Sequence, residues 1–205
     1  MGFSGDFLVP YHQDVFNLLK EKSQVAGIIG LFCNDAPLLG HFSDALKASL
    51  PGAIAINAFP KLSASSLLYK LNPGTKESKS RIQAVDAVLH QWQGGKNRSK
   101  TLVIRHAEAM KETCREVLGM LLTRAQELEF RLSIVLMGSA EQEAALLHPS
   151  ELCEYAHTRH TLRPLTCREF LSYVQAQCEE HGCENSPLTP ARVRKMHALT
   201  KGNIS

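Results

Sequence analysis

Short unbroken apolar runs recur along this chain, each followed by an amphipathic stretch, and that alternation restricts the fold more than any other feature. The run Val25-Ala26-Gly27-Ile28-Ile29-Gly30-Leu31-Phe32 contains no polar side chain and stops ahead of Asn34-Asp35. It is far too short to span a membrane, and it reads as a strand buried on both faces. Ala53-Ile54-Ala55-Ile56-Asn57, Thr101-Leu102-Val103-Ile104 and Leu132-Ser133-Ile134-Val135-Leu136-Met137 repeat the pattern, and His160-Thr161-Leu162 is a weaker fifth.

Helical periodicity fills the intervals. Leu39 to Leu50 places Phe42, Ala45, Leu46 and Leu50 on one face, and Ser80 to Gln91 does the same with Ile82, Val85, Val88 and Leu89. Glu108 to Leu128 offers Val117, Leu118, Leu121, Leu122 and Ala125. Strands alternating with helices specify an α/β fold with a parallel sheet and right-handed crossovers. After Pro164 the pattern changes. Thr166 with Glu169 forms a capping box for a helix running towards Gly182, and Thr189-Pro190-Ala191 opens another. The expected organisation is an α/β core over residues 1–165 and a helical appendage over 166–205.

Composition removes several classes of function. The 205 residues carry 23 Lys+Arg against 20 Asp+Glu, a net charge of +3, which is small for a dedicated nucleic-acid binder. Cysteines at 33, 114, 153, 167, 178 and 183 show no C-x-x-C pair, and the opening Met1-Gly2-Phe3-Ser4-Gly5-Asp6 has no secretory character. A reducing, cytoplasmic setting is therefore expected rather than a disulfide framework. Cys153, His157 and His160, with Cys167 nearby, are zinc-ligand types without the tight cysteine pair that zinc sites show, so no metal is expected. The other histidines are scattered over different elements, and the turn at Ser139 lacks the G-x-S-x-G elbow of a serine hydrolase.

In an open parallel sheet a ligand sits beyond the carboxyl ends of the strands, commonly in the loop after the first buried strand. Here that loop is Cys33-Asn34-Asp35-Ala36-Pro37-Leu38-Leu39-Gly40, of the length and position of a phosphate-binding loop. Other stretches carry a resemblance over almost the whole chain: Phe7-Leu8-Val9-Pro10-Tyr11-His12-Gln13-Asp14 before the first strand, and Ile134 to Glu141 at the fourth. Arg159-His160-Thr161-Leu162-Arg163-Pro164-Leu165-Thr166, with Glu169 and Tyr173, follows the last strand, and Thr189 to Val193 comes after it. Together these resemble the AAA+ superfamily of P-loop ATPases, in particular the bacterial branch with the ATPases of general secretion and MSHA-pilus assembly. The resemblance implies a five-stranded parallel P-loop NTPase-like sheet sandwiched by helices, with a short C-terminal helical lid that ends early or continues in a longer protein.

The departures from that family concern chemistry. Aligned without a gap, the family's first glycine falls on Cys33 and its second on Leu38. The phosphate-binding lysine falls on Leu39 and the Mg²⁺-binding hydroxyl on Gly40. Leucine cannot neutralise phosphate, Asp35 adds repulsion, and Pro37 removes a backbone N–H. Where the third strand should end in an acidic pair stand Arg105 and His106, with Glu108 too far along to replace either. The polar sensor falls on the short Ser139, the arginine that would reach a neighbour's γ-phosphate on Tyr155, and the lid's arginine on Ser205.

The resemblance with these substitutions implies a catalytically inactive AAA+-like scaffold or adaptor for protein partners in a bacterial envelope or secretion assembly. It would have no cofactor, and the resemblance implies the means to form an oligomer through the family's inter-subunit face. Its location would be cytoplasmic, at the inner face of the membrane through a partner or a further segment. A nucleotide-responsive switch using Arg105 is the alternative, as is a DNA-associated accessory factor. The basic groups Lys76/Lys79/Arg81, Lys96/Arg98/Lys100 and Arg192/Arg194/Lys195 favour the last. Interleaved acids (Glu112, Glu116, Glu127, Glu129, Glu179, Glu180) and a lack of interleaved aromatics count against nucleic acid. The apolar Pro37-Leu38-Leu39 is either core filling in a collapsed loop or a contact for a partner.

Overall fold

A computed structural model describes residues 9–77, 80–95, 98–147, 151–180 and 189–203. Gly182, Ser205, Lys79 and Lys96, named above, lie outside these residues. The elements, in order, are α1 (Pro10–Lys22), β1 (Gly27–Phe32), α2 (Ala36–Ser49), β2 (Ile54–Asn57), α3 (Ala64–Leu71) and α4 (Arg81–Gln93). There follow β3 (Ser99–Arg105), α5 (Glu112–Glu127), β4 (Arg131–Gly138), α6 (Glu143–Leu147), β5 (Ala156–Thr161), α7 (Cys167–Glu180) and α8 (Pro190–Thr200).

The five strands form one sheet in the order β2-β3-β4-β1-β5, with every pairing parallel. The expected α/β class and five-stranded sandwiched sheet are borne out. Period-two alternation explains how apolar runs serve both faces. Ile28, Phe32, Leu102, Ile104, Ile134 and Leu136 pack beneath α3, α4 and α5. Ile29, Leu31, Val103, Val135 and Met137 pack beneath α1 and α2. β1 lies between β4 and β5, while the chain leaving β1 travels to the far edge at β2. That reversal opens a crevice at the carboxyl end of β1, the place where such sheets position a ligand.

Four local expectations are corrected. Val25 is 55% exposed, and β1 starts at Gly27. The fifth strand runs from Ala156 to Thr161 rather than centring on His160–Leu162; as an edge strand it pairs on one side only and tolerates a polar sequence. The helix expected from Glu108 begins at Glu112, because His106 adopts a left-handed conformation (φ 53°, ψ 42°) and a short turn over Ala107–Ala109 intervenes. Ile82, expected on the buried face of its helix, is 57% exposed, since the first turn of α4 overhangs the core that covers Val85, Val88 and Leu89.

The passage from β5 into α7 is held by polar groups that the capping-box reading anticipated. Thr166 N–H donates to Glu169 at 2.8 Å, and Glu169 N–H donates to the Thr166 hydroxyl at 3.3 Å. Arg163 grips the same carboxylate through two nitrogens at 2.8 and 2.7 Å, and its guanidinium lies 4.2 Å above the Tyr11 ring. That bidentate pair, with the Thr166 bonds, holds the Glu169 pKa down at about 2. Val9, Leu165, Phe170 and Val193 form a small separate cluster beneath α7 and α8. Gly202, at φ +80°, closes it: its carbonyl accepts from Leu165 N–H at 3.0 Å, and a Cβ there would lie 2.3 Å from the Leu165 oxygen. Only glycine fits this turn.

Candidate functional site: the crevice at the end of β1

The connection between β1 and α2 is much tighter than a phosphate-binding loop. Phe32 ends the strand and Ala36 begins the helix, leaving only Cys33, Asn34 and Asp35 between them. The length expected from the sequence is corrected accordingly: Leu38, Leu39 and Gly40 already belong to the helix. Two forces drive the early start. Pro37 sits in the first turn, where its missing N–H costs nothing, and Asp35 is the N-cap.

The Asp35 side chain accepts from Leu38 N–H at 3.0 Å, and its carbonyl accepts from Leu39 N–H at 3.1 Å. A buried carboxylate of the protein therefore occupies the positive end of α2, where a phosphate would otherwise be drawn. Asp35 N–H in turn donates to Cys33 Sγ at 3.2 Å. Burial raises the Cys33 thiol pKa, which keeps the sulfur in its weakly reactive protonated form.

Leu38 and Leu39 are 7% and 6% exposed and lie in the same cluster as Phe42, Leu46, Val135 and Leu162. Of the two readings of Pro37-Leu38-Leu39, core filling holds for the leucines, while Ala36 and Pro37 are exposed. Asn34 closes the loop from the other side. Its side-chain oxygen accepts from the Ser139 hydroxyl at 3.0 Å and from Ala140 N–H at 3.1 Å, tying the loop to the end of β4.

Arg105 lies beside Gly40. A Cβ on Gly40 would come 3.2 Å from Arg105 Nη1, so the bare glycine accommodates the guanidinium. The same Nη1 is 4.0 Å from Asp44, and Nε donates to Asn57. A fixed cation engaged by an acid and an amide thus stands beside Gly40 on α2.

His106 is half exposed, with Nδ1 3.8 Å from Glu108 Oε1. Glu108 is spaced too far along the chain to stand beside Arg105 in sequence, yet the turn at His106 swings it back over the end of β4. A Cβ on Gly138 would lie 2.5 Å from Glu108 Oε2, an oxygen that is buried without a hydrogen-bond partner among the described residues. Asp35 and Glu108 make the crevice acidic at two points where a polyphosphate needs cations.

Three imidazoles with shifted pKa values lie on the neighbouring elements α1, α2 and β5: His12, His41 and His160. His12 on α1 is 2% exposed, with its ring edge-on to Phe42 at 6.1 Å and tilted against Tyr11 at 5.6 Å. Burial drives its pKa down to about 4, against partial opposition from Glu169 and Asp35. His41 and His160 are lowered for the same reason.

The structure thus brings together Cys33 to Gly40, Arg105 and Ser139, and it adds Glu108, Asn57 and His12. Tyr155 is elsewhere. It packs against the opposite core, and its hydroxyl pairs with that of Thr123 on α5 at 2.8 Å. Among the described residues no three potential metal ligands gather, and the Cys153 and His157 side chains lie outside those described. No described helix is long and apolar enough to cross a membrane.

No family model matches the chain, and no curated protein matches it in sequence. Solved structures do. The ORC1 protein of Aeropyrum pernix, in complex with DNA, superposes with a TM-score of 0.63 at 12% identity, over 86% of this chain and 51% of that one. Cdc6p from Pyrobaculum aerophilum gives 0.55 at 14% identity, over 82% and 50%. A chain of the Drosophila ORC bound to DNA gives 0.55 at 13%, over 80% and 97%. The chain spans about half the length of the two archaeal proteins. At these identities the likeness is one of fold: the chain folds as an AAA+-like α/β domain, similar to those of ORC and Cdc6 proteins.

Proposed function

We propose that this chain is a nucleotide-silent AAA+-like domain that acts by binding other macromolecules and not by hydrolysing ATP. The observation that carries this reading is the Asp35 carboxylate capping α2, with Leu39 buried at the lysine position beneath it. A triphosphate would have to displace a buried anion from the helix terminus and would meet no lysine there. Arg105 is the remaining cation, and Asp44 and Asn57 already engage it.

Titration calorimetry with ATP and Mg²⁺ tests this directly. No binding heat is expected at concentrations up to about 1 mM, an affinity weaker than roughly 4 kcal/mol. Micromolar binding that disappears in Arg105→Ala would overturn the proposal in favour of an ATP-responsive switch. Placement as a scaffold in a bacterial envelope or secretion assembly follows from the resemblance of the sequence motifs.

A second reading, that the macromolecule bound is DNA, draws on a surface the sequence did not reveal. Phe59 and Tyr69 are 42% and 49% exposed around α3, and Lys70 Nζ lies 5.9 Å from the Phe59 ring centroid. Exposed aromatic and basic groups together suit a nucleic-acid strand, and this amends the expectation that aromatic interleaving is missing. Two of the structures similar in fold were solved with DNA. Fluorescence anisotropy with duplex and single-stranded oligonucleotides across a salt series is the appropriate measurement. If DNA is the partner, affinity falls steeply with salt and Lys70→Ala flattens that slope by about one unit. Salt-independent or absent binding removes DNA from consideration.

A further inference from the structure

A recess of about 240 Å³ lies at the amino-terminal end of the sheet, remote from the crevice, where α4 and α5 end and β3 begins. Among the described residues, Gln93, Arg98, Leu128, Glu129 and Phe130 line it. Phe130 is 3% exposed and stacks on Trp92 with ring centroids 6.3 Å apart, which makes a firm apolar floor. The Gln93 side-chain N–H donates to the Leu128 carbonyl at 3.4 Å and joins the two helix ends. Its amide oxygen stays available as an acceptor.

The two charges in this recess are placed in an uncommon way. Glu129 adopts a left-handed conformation (φ 52°) just past the end of α5, a position where glycine is the usual residue. Its N–H donates to the Gln126 carbonyl at 3.1 Å, and Phe130 N–H donates to the Ala125 carbonyl at 2.8 Å, the paired bonds that close a helix. Glutamate is strained there and glycine is not, and strain of this kind collects at functional sites. Arg98 precedes β3, and its carbonyl accepts from Arg131 N–H at 3.2 Å, which ties it to the start of β4. Among the described residues neither Arg98 nor Glu129 has an ion-pair partner. Nor do they pair with each other, so their charged atoms stand more than 4.0 Å apart. One recess thus presents an anion and a cation that do not neutralise one another.

We propose that this recess binds a free α-amino acid with a small apolar side chain. The ligand's carboxylate meets the Arg98 guanidinium, and its ammonium meets the Glu129 carboxylate and the Gln93 amide oxygen. Its side chain rests on Leu128 and Phe130. A zwitterion supplies both missing partners at once and adds no net charge. The volume falls below the roughly 300 Å³ at which pockets for larger ligands begin, in keeping with a molecule of this size. Arg98 and Glu129 are solvent-exposed, so screening keeps the affinity low, with a Kd on the order of 1 to 10 mM. The site does not depend on whether the crevice binds nucleotide.

Titration of the 205-residue chain with L-valine, followed in amide nitrogen–proton NMR correlation spectra, tests the assignment. Saturable shifts are expected at Arg98, Glu129 and Phe130. None is expected from N-acetyl-L-valine or L-valinamide, each of which lacks one of the two charges. Arg98→Gln and Glu129→Gln should each weaken binding about tenfold or more. Glu129→Gly separates the ligand from the fold. It should raise the melting temperature by about 2 °C, because glycine suits the left-handed turn, and it should lose L-valine binding. No saturable shift up to about 50 mM L-valine, equal shifts from either singly charged analogue, or undiminished binding in Arg98→Gln or Glu129→Gly would each overturn the proposal.

Discussion

Leu39→Lys, which introduces the residue type a phosphate loop requires, is expected to lower stability by about 3 kcal/mol and to leave ATP unbound. Leu39 is 6% exposed within the cluster that α2 forms with the sheet. A lysine there either buries an ammonium among Phe42, Leu46 and Leu162 or swings out and leaves a cavity. Neither result rebuilds a cradle, because α2 starts at Ala36 and Asp35 keeps its hold on Leu38 N–H. Thermal melting and ATP titration of this one variant measure both effects. A stable Leu39→Lys protein that binds ATP with micromolar affinity would contradict the collapsed-loop account.

Stability should fall as pH drops from 6.5 towards 4, with His12 the largest single contributor. Its folded pKa, about 4, lies below the 6.5 of an unfolded histidine. Between those values the unfolded chain binds a proton that the folded chain refuses, so lowering the pH favours unfolding. The interval corresponds to at most about 3 kcal/mol, fully present above pH 6.5 and lost as pH approaches 4. His41 and His160 act with the same sign, so some slope persists without His12. The Glu169 carboxylate also stabilises the folded state, but its contribution disappears only on further acidification, from about 4.5 towards 2. Urea unfolding at several pH values should show a clearly shallower loss for His12→Phe than for the wild type. Identical slopes in the two proteins would remove His12 from this role.

Much of the architecture could be read along the chain because sheet burial and helix amphipathicity write themselves into local periodicity. The runs around Ile28, Val103 and Val135 are almost wholly apolar, with only Thr101 and Ser133 as buried polar residues, since alternate residues face different helical layers. The edge strand β5 was harder to place: paired with β1 alone, it carries Thr158, Arg159 and His160 with little local sign of its limits. Ile82 had the right spacing and the wrong environment, because periodicity assigns a face but cannot say where the opposing core ends.

At the site, the residue types were legible along the chain: Leu39 apolar, Arg105 basic, His106 an imidazole, and no lysine between residues 33 and 40. Their consequences were not. Glu108 required the left-handed turn at His106 to bring it over Gly138. His12, Asp35 and Phe42 come together only after α1 and α2 pack on the same face of the sheet.

The order of elements, the parallel sheet and the residue types between β1 and α2 were determined by sequence alone, because each depends on neighbours within a few positions. Tertiary structure decided that Leu38 and Leu39 face the core formed with Val135 and Leu162, that Asn34 ties the β1–α2 loop to the end of β4, and that Arg105 fills the space beside Gly40. These contacts join segments tens of residues apart, and only packing of the sheet sets the distances between them.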